Sequence, residues 1–264
     1  MLKERLVSSV LLISAIVLIL FVDWLVGIVI VLLTIAGLYE FFTMVEKKGI
    51  SIYKYFGIVM GAIIPLSIVY RFELTRNWEF FFIVLALLFL IIMQFRRRQN
   101  SGTVVGISVT MFGILYISWF LSFMIKIRYL HNGFGLLVTL LLVTKLGDIG
   151  AYLIGSRFGK TPLMPRISPK KSVEGSIGGL IFSILGAFAC KSFLPLSYLY
   201  LAFVGLFLGV LGQLGDLSES LMKRDCQIKD SGNLFPGMGG ILDLIDSLLF
   251  TAPVFYFYVT IIFK

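Results

Sequence analysis

The chain reads as long apolar runs separated by short polar stretches. Runs over approximately 6–22, 24–44, 54–70, 78–95, 103–125, 133–155, 173–190, 196–222 and 239–262 approach the roughly 20 residues that a helix needs to cross about 30 Å of hydrocarbon. A span in lipid must satisfy its backbone N–H and C=O groups internally. The pattern therefore predicts nine transmembrane helices in an all-α, polytopic membrane protein. The first two runs are parted only by Asp23 and Trp24, a spacing that also suits a tight helical hairpin or a re-entrant unit. The first run follows Lys3 and Arg5, and no small-x-small cleavage site follows it, so a retained anchor is expected rather than a cleaved signal. There is no convincing internal repeat and no low-complexity segment.

Composition sharpens this class. Hydrophobic residues make up 59% of 264 and charged residues only 14%, against about 25% charged in soluble chains, which excludes a soluble fold. The two cysteines, Cys190 and Cys226, form no C-x-x-C, so neither a disulfide framework nor a zinc site is expected. His131 is the sole histidine, which excludes chemistry that needs a His pair. Net charge is +9. The basic residues sit in short loops between apolar runs, so anionic lipid or an anionic substrate is expected rather than nucleic acid.

Those loops set the expected orientation. With the N-terminus in the cytoplasm, sixteen basic residues fall inside: Lys3, Arg5, Lys47, Lys48, Lys54, Arg96, Arg97, Arg98, Arg157, Lys160, Arg166, Lys170, Lys171, Lys223, Arg224 and Lys229. Six fall outside: Arg71, Arg76, Lys126, Arg128, Lys191 and Lys264. That bias predicts N-terminus in and C-terminus out, which puts His131 in an outer loop.

Ionisable groups within spans are costly and mark function. In the first half Glu40 is the exception, placed where it is expected to snorkel to the cytoplasmic surface. In the second half Asp148, Asp216, Glu219, Asp243 and Asp246 all fall toward the predicted cytoplasmic leaflet. Asp216 and Glu219 are i,i+3, as are Asp243 and Asp246, so each pair shares a helix face. Such carboxylates repel unless something positive lies among them. One solution is a divalent cation, for which an all-oxygen set suits Mg²⁺ or Mn²⁺. The other is neutralisation by Lys145, Lys223 and Arg224 as structural ion pairs.

Two basic, Gly-bearing loops face the same side. One runs from Gly155 through Ser156, Arg157, Gly159 and Lys160 to Arg166, Ser168, Lys170, Lys171, Ser172, Glu174 and Gly175. The other runs from Ser220 through Lys223, Arg224, Lys229, Asp230 and Gly232 to Phe235, Pro236, Met238, Gly239 and Gly240. No G-x-x-x-x-G-K-[ST] is present, which excludes a Walker A loop. Carboxylates beside basic, Gly-rich loops suit phosphoryl or nucleotidyl transfer.

At these residues the chain resembles the phosphatidate cytidylyltransferases (CDP-diacylglycerol synthases). Ser220, Lys223, Arg224, Lys229, Asp230, Gly232, Phe235, Pro236, Gly239, Gly240, Asp243 and Asp246 follow the family's signature. Gly215-Asp216-Leu217-Ser218-Glu219-Ser220 is similar to its G-D-x-x-E-S, and Asp148-Ile149-Gly150-Ala151-Tyr152 to its D-x-G-A-Y. The pattern departs at Met238, where the family usually has His, and at Leu244, where it usually has Arg.

The resemblance implies transfer of CMP from CTP to phosphatidate, giving CDP-diacylglycerol and pyrophosphate. It implies Mg²⁺ held by Asp216, Asp243 and Asp246, with Glu219 as a ligand or close behind, and leaves room for a second, monovalent cation such as K⁺. Catalytic roles then fall to Asp216, Ser220, Lys223, Arg224, Asp243 and Asp246. Substrate contacts fall to Asp148, Tyr152, Lys160, Ser168, Lys170, Lys171 and Lys229. Residues 1–132 are expected to form lipid-facing and homodimer surfaces, and 133–264 the catalytic region, in a bacterial inner membrane with the site facing the cytoplasm. A cation-coupled transporter is the rival class, but it predicts midplane carboxylates and repeat symmetry. A CDP-alcohol phosphatidyltransferase needs a D-G-x-x-A-R that is absent, and a non-catalytic scaffold is motivated only by Met238 and Leu244.

Overall fold

The computed structural model describes residues 18–70, 78–95, 102–232 and 239–262. Most of the first apolar run, the basic residues Lys3, Arg5, Arg71, Arg76, Arg96, Arg97, Arg98 and Lys264, and Phe235, Pro236 and Met238 of the second loop lie outside the described residues. The other eight runs are helices: α1 Asp23–Lys47, α2 Lys54–Val69, α3 Trp78–Gln94, α4 Thr103–Arg128, α5 Gly133–Phe158, α6 Val173–Ala189, α7 Tyr198–Asp225 and α8 Ile241–Ile262. Five of these, α1, α4, α5, α7 and α8, are long and apolar enough to cross a membrane, while α2, α3 and α6 are shorter apolar helices. The protein is accordingly an α-helical integral membrane protein.

The helices run alternately up and down, and polar ties bind each end of the bundle. At one end Arg128 closing α4 pairs with Asp23 opening α1. There too Lys126 meets Glu79 at the start of α3 at 2.5 Å, and Asn132 donates to the Phe193 carbonyl at 2.8 Å. At the other end Lys48, just past α1, pairs with Asp225 closing α7. Pro65 and Pro253 lie inside α2 and α8, tolerated because neighbouring helices absorb the lost hydrogen bond. A single π-turn, Ile114–Trp119, interrupts α4, and there the Ser118 hydroxyl donates to the Gly61 carbonyl of α2.

Small residues bring α5, α6 and α7 together, since lipid offers no hydrophobic drive for helix association and close packing must supply it. A Cβ at Gly205 of α7 would meet the Ile184 Cα of α6 at 2.6 Å, and one at Gly179 of α6 would meet the Gly147 carbonyl of α5 at 3.0 Å. One loop of this helical architecture carries strand pairing. The loop between α5 and α6 is an antiparallel hairpin, β1 Pro162–Met164 with β2 Ser168–Ser172, pairing Pro162 with Ser172 and Met164 with Ser168. It is the only sheet among the described residues.

Candidate active site

The hairpin closes over the end of the bundle where α5 and α7 finish and α6 and α8 begin. Its geometry follows from a short polar sequence. Ser172, capping α6, accepts from the Gly175 N–H at 3.1 Å, a usual way of satisfying a free amide in a helix's first turn. Glu174 reaches back to accept the Lys160 N–H at 3.0 Å and the Thr161 N–H at 3.2 Å. The Thr161 carbonyl takes the Val173 N–H at 2.9 Å. Lys170 and Lys171 are thereby held on the strand that faces the bundle.

Between hairpin and bundle is a cavity of about 630 Å³. Asp148 and Tyr152 of α5, Ser168, Lys170 and Lys171 of β2, Asp216 of α7, and Asp243 and Asp246 of α8 all line it. Eight of the residues singled out from the sequence are thus brought together, from three helices and the hairpin. Ser176 and Gln213 also line it and were not anticipated. They lock α6 to α7, because Ser176 donates to Gln213 Oε1 and Gln213 Nε2 donates to the Ser176 carbonyl at 2.9 Å. A glutamine three residues before Asp216 inside an apolar run was the available signal.

The remaining expected site residues lie off the lining. Lys160 and Lys229 are exposed, and Ser220 is partly buried. Arg224 is exposed and spends its guanidinium on backbone carbonyls, Ile167 at 3.1 Å and Ile228 at 3.3 Å, tying α7 to the hairpin. Glu219 is only 1% exposed and pairs with Lys223 one turn on, which also pairs with Asp243. Although Asp216 and Glu219 are three apart, Asp216 opens on the cavity and Glu219 is turned inward.

Lysines therefore meet most of the carboxylates. Lys171 Nζ is 2.6 Å from Asp216 Oδ2. Lys145 Nζ donates to Asp148 Oδ2 at 3.0 Å, to the Leu244 carbonyl at 3.1 Å and to the Ser247 hydroxyl at 3.1 Å, and that hydroxyl lies 3.2 Å from Asp148 Oδ2. The expected neutralisers Lys145 and Lys223 do pair with carboxylates, whereas Arg224 pairs with none among the described residues, and Lys171 joins them. At Leu244 it is the backbone carbonyl that Lys145 uses, which any residue there would offer.

Asp246 is the exception. It is buried, and among the described residues no ion pair reaches it; its one hydrogen bond is from the adjacent Ser247 N–H. Among the described residues no three His, Cys, Asp or Glu side chains gather closely enough to form a complete metal cage. Magnesium rarely uses such a cage, and is more often held by one or two carboxylates with water and substrate phosphates. The carboxylates of this lining are oxygen donors of the kind that cation takes, and Asp246 among them is buried with no ion pair reaching it from the described residues.

Both cysteines are free and buried. Burial first, then the neighbouring Asp225 carboxylate, pushes the Cys226 thiol up against an opposing effect of Lys48, so it stays protonated at neutral pH. His131 sits exposed in the turn before α5, with about 22 Å of helix between the start of α5 and Asp148.

Comparison with known proteins supplies the family. Residues 3–262 match the family model described as the cytidylyltransferase family. The phosphatidate cytidylyltransferase of Synechocystis sp. is 36% identical over 291 residues, covering 98% of this chain and 97% of the relative. That of Bacillus subtilis is 36% identical over 236 residues, covering 84% and 83%, and that of Thermotoga maritima 33% over 250 residues, covering 91% and 87%. With the family model spanning nearly every residue and relatives aligned across most of both chains, this chain belongs to the cytidylyltransferase family.

Proposed function

We propose that the chain transfers CMP from CTP to phosphatidate, giving CDP-diacylglycerol and pyrophosphate for phospholipid synthesis, with Mg²⁺ as cofactor. One observation carries the reading: carboxylates of α5, α7 and α8 face Lys170 and Lys171 of the hairpin across a single cavity. An oxygen of the phosphatidate phosphate attacks the α-phosphorus of CTP. The bond from that phosphorus to the oxygen bridging the β-phosphate breaks, and pyrophosphate leaves. The attacking phosphate is already anionic, so no base has to remove a proton, consistent with a sole histidine far from the cavity. What must be overcome is repulsion between two anionic substrates, so catalysis is neutralisation and positioning.

Asp216 and Asp246, with Asp243 beside them, would hold the divalent cation. Bound there, it supplies charge neutralisation to the CTP phosphates and the departing pyrophosphate. Lys171 and Lys170 hold phosphate oxygens, Lys171 turning from Asp216 to the substrate once the carboxylate is engaged. Asp148, fixed by Lys145 and Ser247, orders the wall from which Tyr152 and Ser168 face the substrates. Glu219, buried against Lys223, serves in this reading as that lysine's counter-charge rather than as a ligand. Lys223 keeps Asp243 in place, Arg224 braces the hairpin, and Ser220 belongs to the same α7 turn. Lys160 and Lys229 draw anionic substrates in at longer range. A monovalent cation such as K⁺ would add further neutralisation beside the divalent one.

The basic residues orient the chain with its N-terminus and cavity on the cytoplasmic side of an inner membrane. Residues 133–264 then form the catalytic region, and 1–132 the lipid-facing and homodimer surfaces. Purified protein in phosphatidate-containing bilayers, given CTP labelled at the α-phosphorus, is expected to pass the label into lipid with one pyrophosphate released per lipid formed. Pyrophosphate release without labelled lipid, or no release at all, would overturn the reading.

A further inference from the structure

Glu40 does not snorkel. It lies in the last third of α1, is 5% exposed, and its carboxylate points into the protein. Its two oxygens accept the Ile241 N–H at 2.9 Å and the Leu242 N–H at 2.9 Å, the first amides of α8. The Ser231 hydroxyl stands 3.1 Å from Glu40 and 2.7 Å from Asp243 Oδ2, and its single proton serves one carboxylate at a time. Asp243 Oδ2 also takes the Gly240 N–H at 2.9 Å and the Ser231 N–H at 3.3 Å. The backbone is shaped to admit the carboxylate, since a Cβ at Gly232 would meet Glu40 Cδ at 2.8 Å and one at Gly240 would meet it at 2.7 Å.

A carboxylate at this depth is costly unless its hydrogen bonds are filled. Free amides at a helix start attract negative charge. Both demands are met at once here, between residues some two hundred positions apart. We propose that Glu40 is a positioning residue: it fixes the start of α8 and, through Ser231, the carboxylate of Asp243, so that Asp243 and Asp246 face the cavity. The first half of the chain then contributes to the site without entering it. This rests on the reaction proposed above only for its kinetic arm.

The test uses full-length Glu40→Gln in bilayers, because Gln keeps the volume but turns a donor toward one of the two amides; Ser231→Ala and the double variant accompany it. Hydrogen exchange of residues 239–246 is expected to rise about tenfold or more in Glu40→Gln, as losing a hydrogen bond to a charged group implies, with distant helices unchanged. In the assay, kcat is expected to fall about tenfold while the KM for CTP stays within about twofold. The double variant is expected to lose less than the product of the single losses, because both act through Asp243. Unchanged exchange at 239–246 overturns the proposal, as does wild-type kcat in Glu40→Gln. If wild-type protein forms no CDP-lipid yet exchange still rises locally, the reaction falls and the positioning role stands.

Discussion

Lys223 is a buried ammonium shared by two carboxylates, Glu219 and Asp243. Removing one member of such a set leaves uncompensated charge in a medium that solvates it poorly. Lys223→Met is therefore expected to destabilise the protein by about 3–5 kcal/mol, whereas Lys229→Ala at an exposed position should shift stability by no more than about 0.5 kcal/mol. Unfolding titrations of both variants in detergent check the contrast, and equal effects would contradict the pairing. The sequence marked Lys223 as a candidate neutraliser of these carboxylates without saying which ones it would meet. The pairing of Lys171 with Asp216 was not legible, because it depends on a hairpin folding back across the bundle. Nor was the burial of Glu40, whose acceptors are satisfied by amides two hundred residues away.

At the scale of elements, the hairpin and the α7–α8 contact position the lining. Glu174 fastens the chain before β1 through the Lys160 and Thr161 amides. Glu174→Ala should loosen Lys170 and Lys171 and raise the KM for the anionic substrates severalfold, with little change in unfolding temperature. A normal KM in steady-state assays would show that the hairpin holds without it. Where α7 crosses α8, a Cβ at Gly215 would press on the Asp246 carbonyl and lie 3.1 Å from Ser247 Cα. Gly215→Val should cost about 1–3 kcal/mol through overpacking and lose more activity than that alone explains, because Asp246 shifts with its backbone. The strands themselves escaped the sequence pattern. Pro162–Met164 and Ser168–Ser172 are short and lack apolar alternation, so nothing marked them as more than a basic loop.

At the scale of the molecule, the apolar runs placed eight segments within a few residues of their helices, five of them long and apolar enough to cross a membrane. They did not reveal the rotation of each helix about its axis. That rotation decides that Asp216 meets the cavity while Glu219 turns away, and it is set by glycine contacts among α5, α6 and α7. The alternation of helices puts every cavity residue at one end, so a reporter fused after Lys264 is expected outside the cytoplasm if the basic loops orient the chain; a cytoplasmic reporter would reverse that assignment.

The most direct measurement is the initial rate of CDP-diacylglycerol formation from CTP and phosphatidate across a magnesium titration, for wild-type protein and Asp246→Asn at equal folded concentration in bilayers. Wild-type protein should form the product only with magnesium present. The Asn variant, stripped of a buried cavity carboxylate that no ion pair reaches among the described residues, should fall by about a thousandfold or more, the several kcal/mol of charge stabilisation a metal supplies. A wild-type rate in Asp246→Asn, or full activity with magnesium chelated, would contradict the metal-assisted cytidylyl transfer assigned to this cavity.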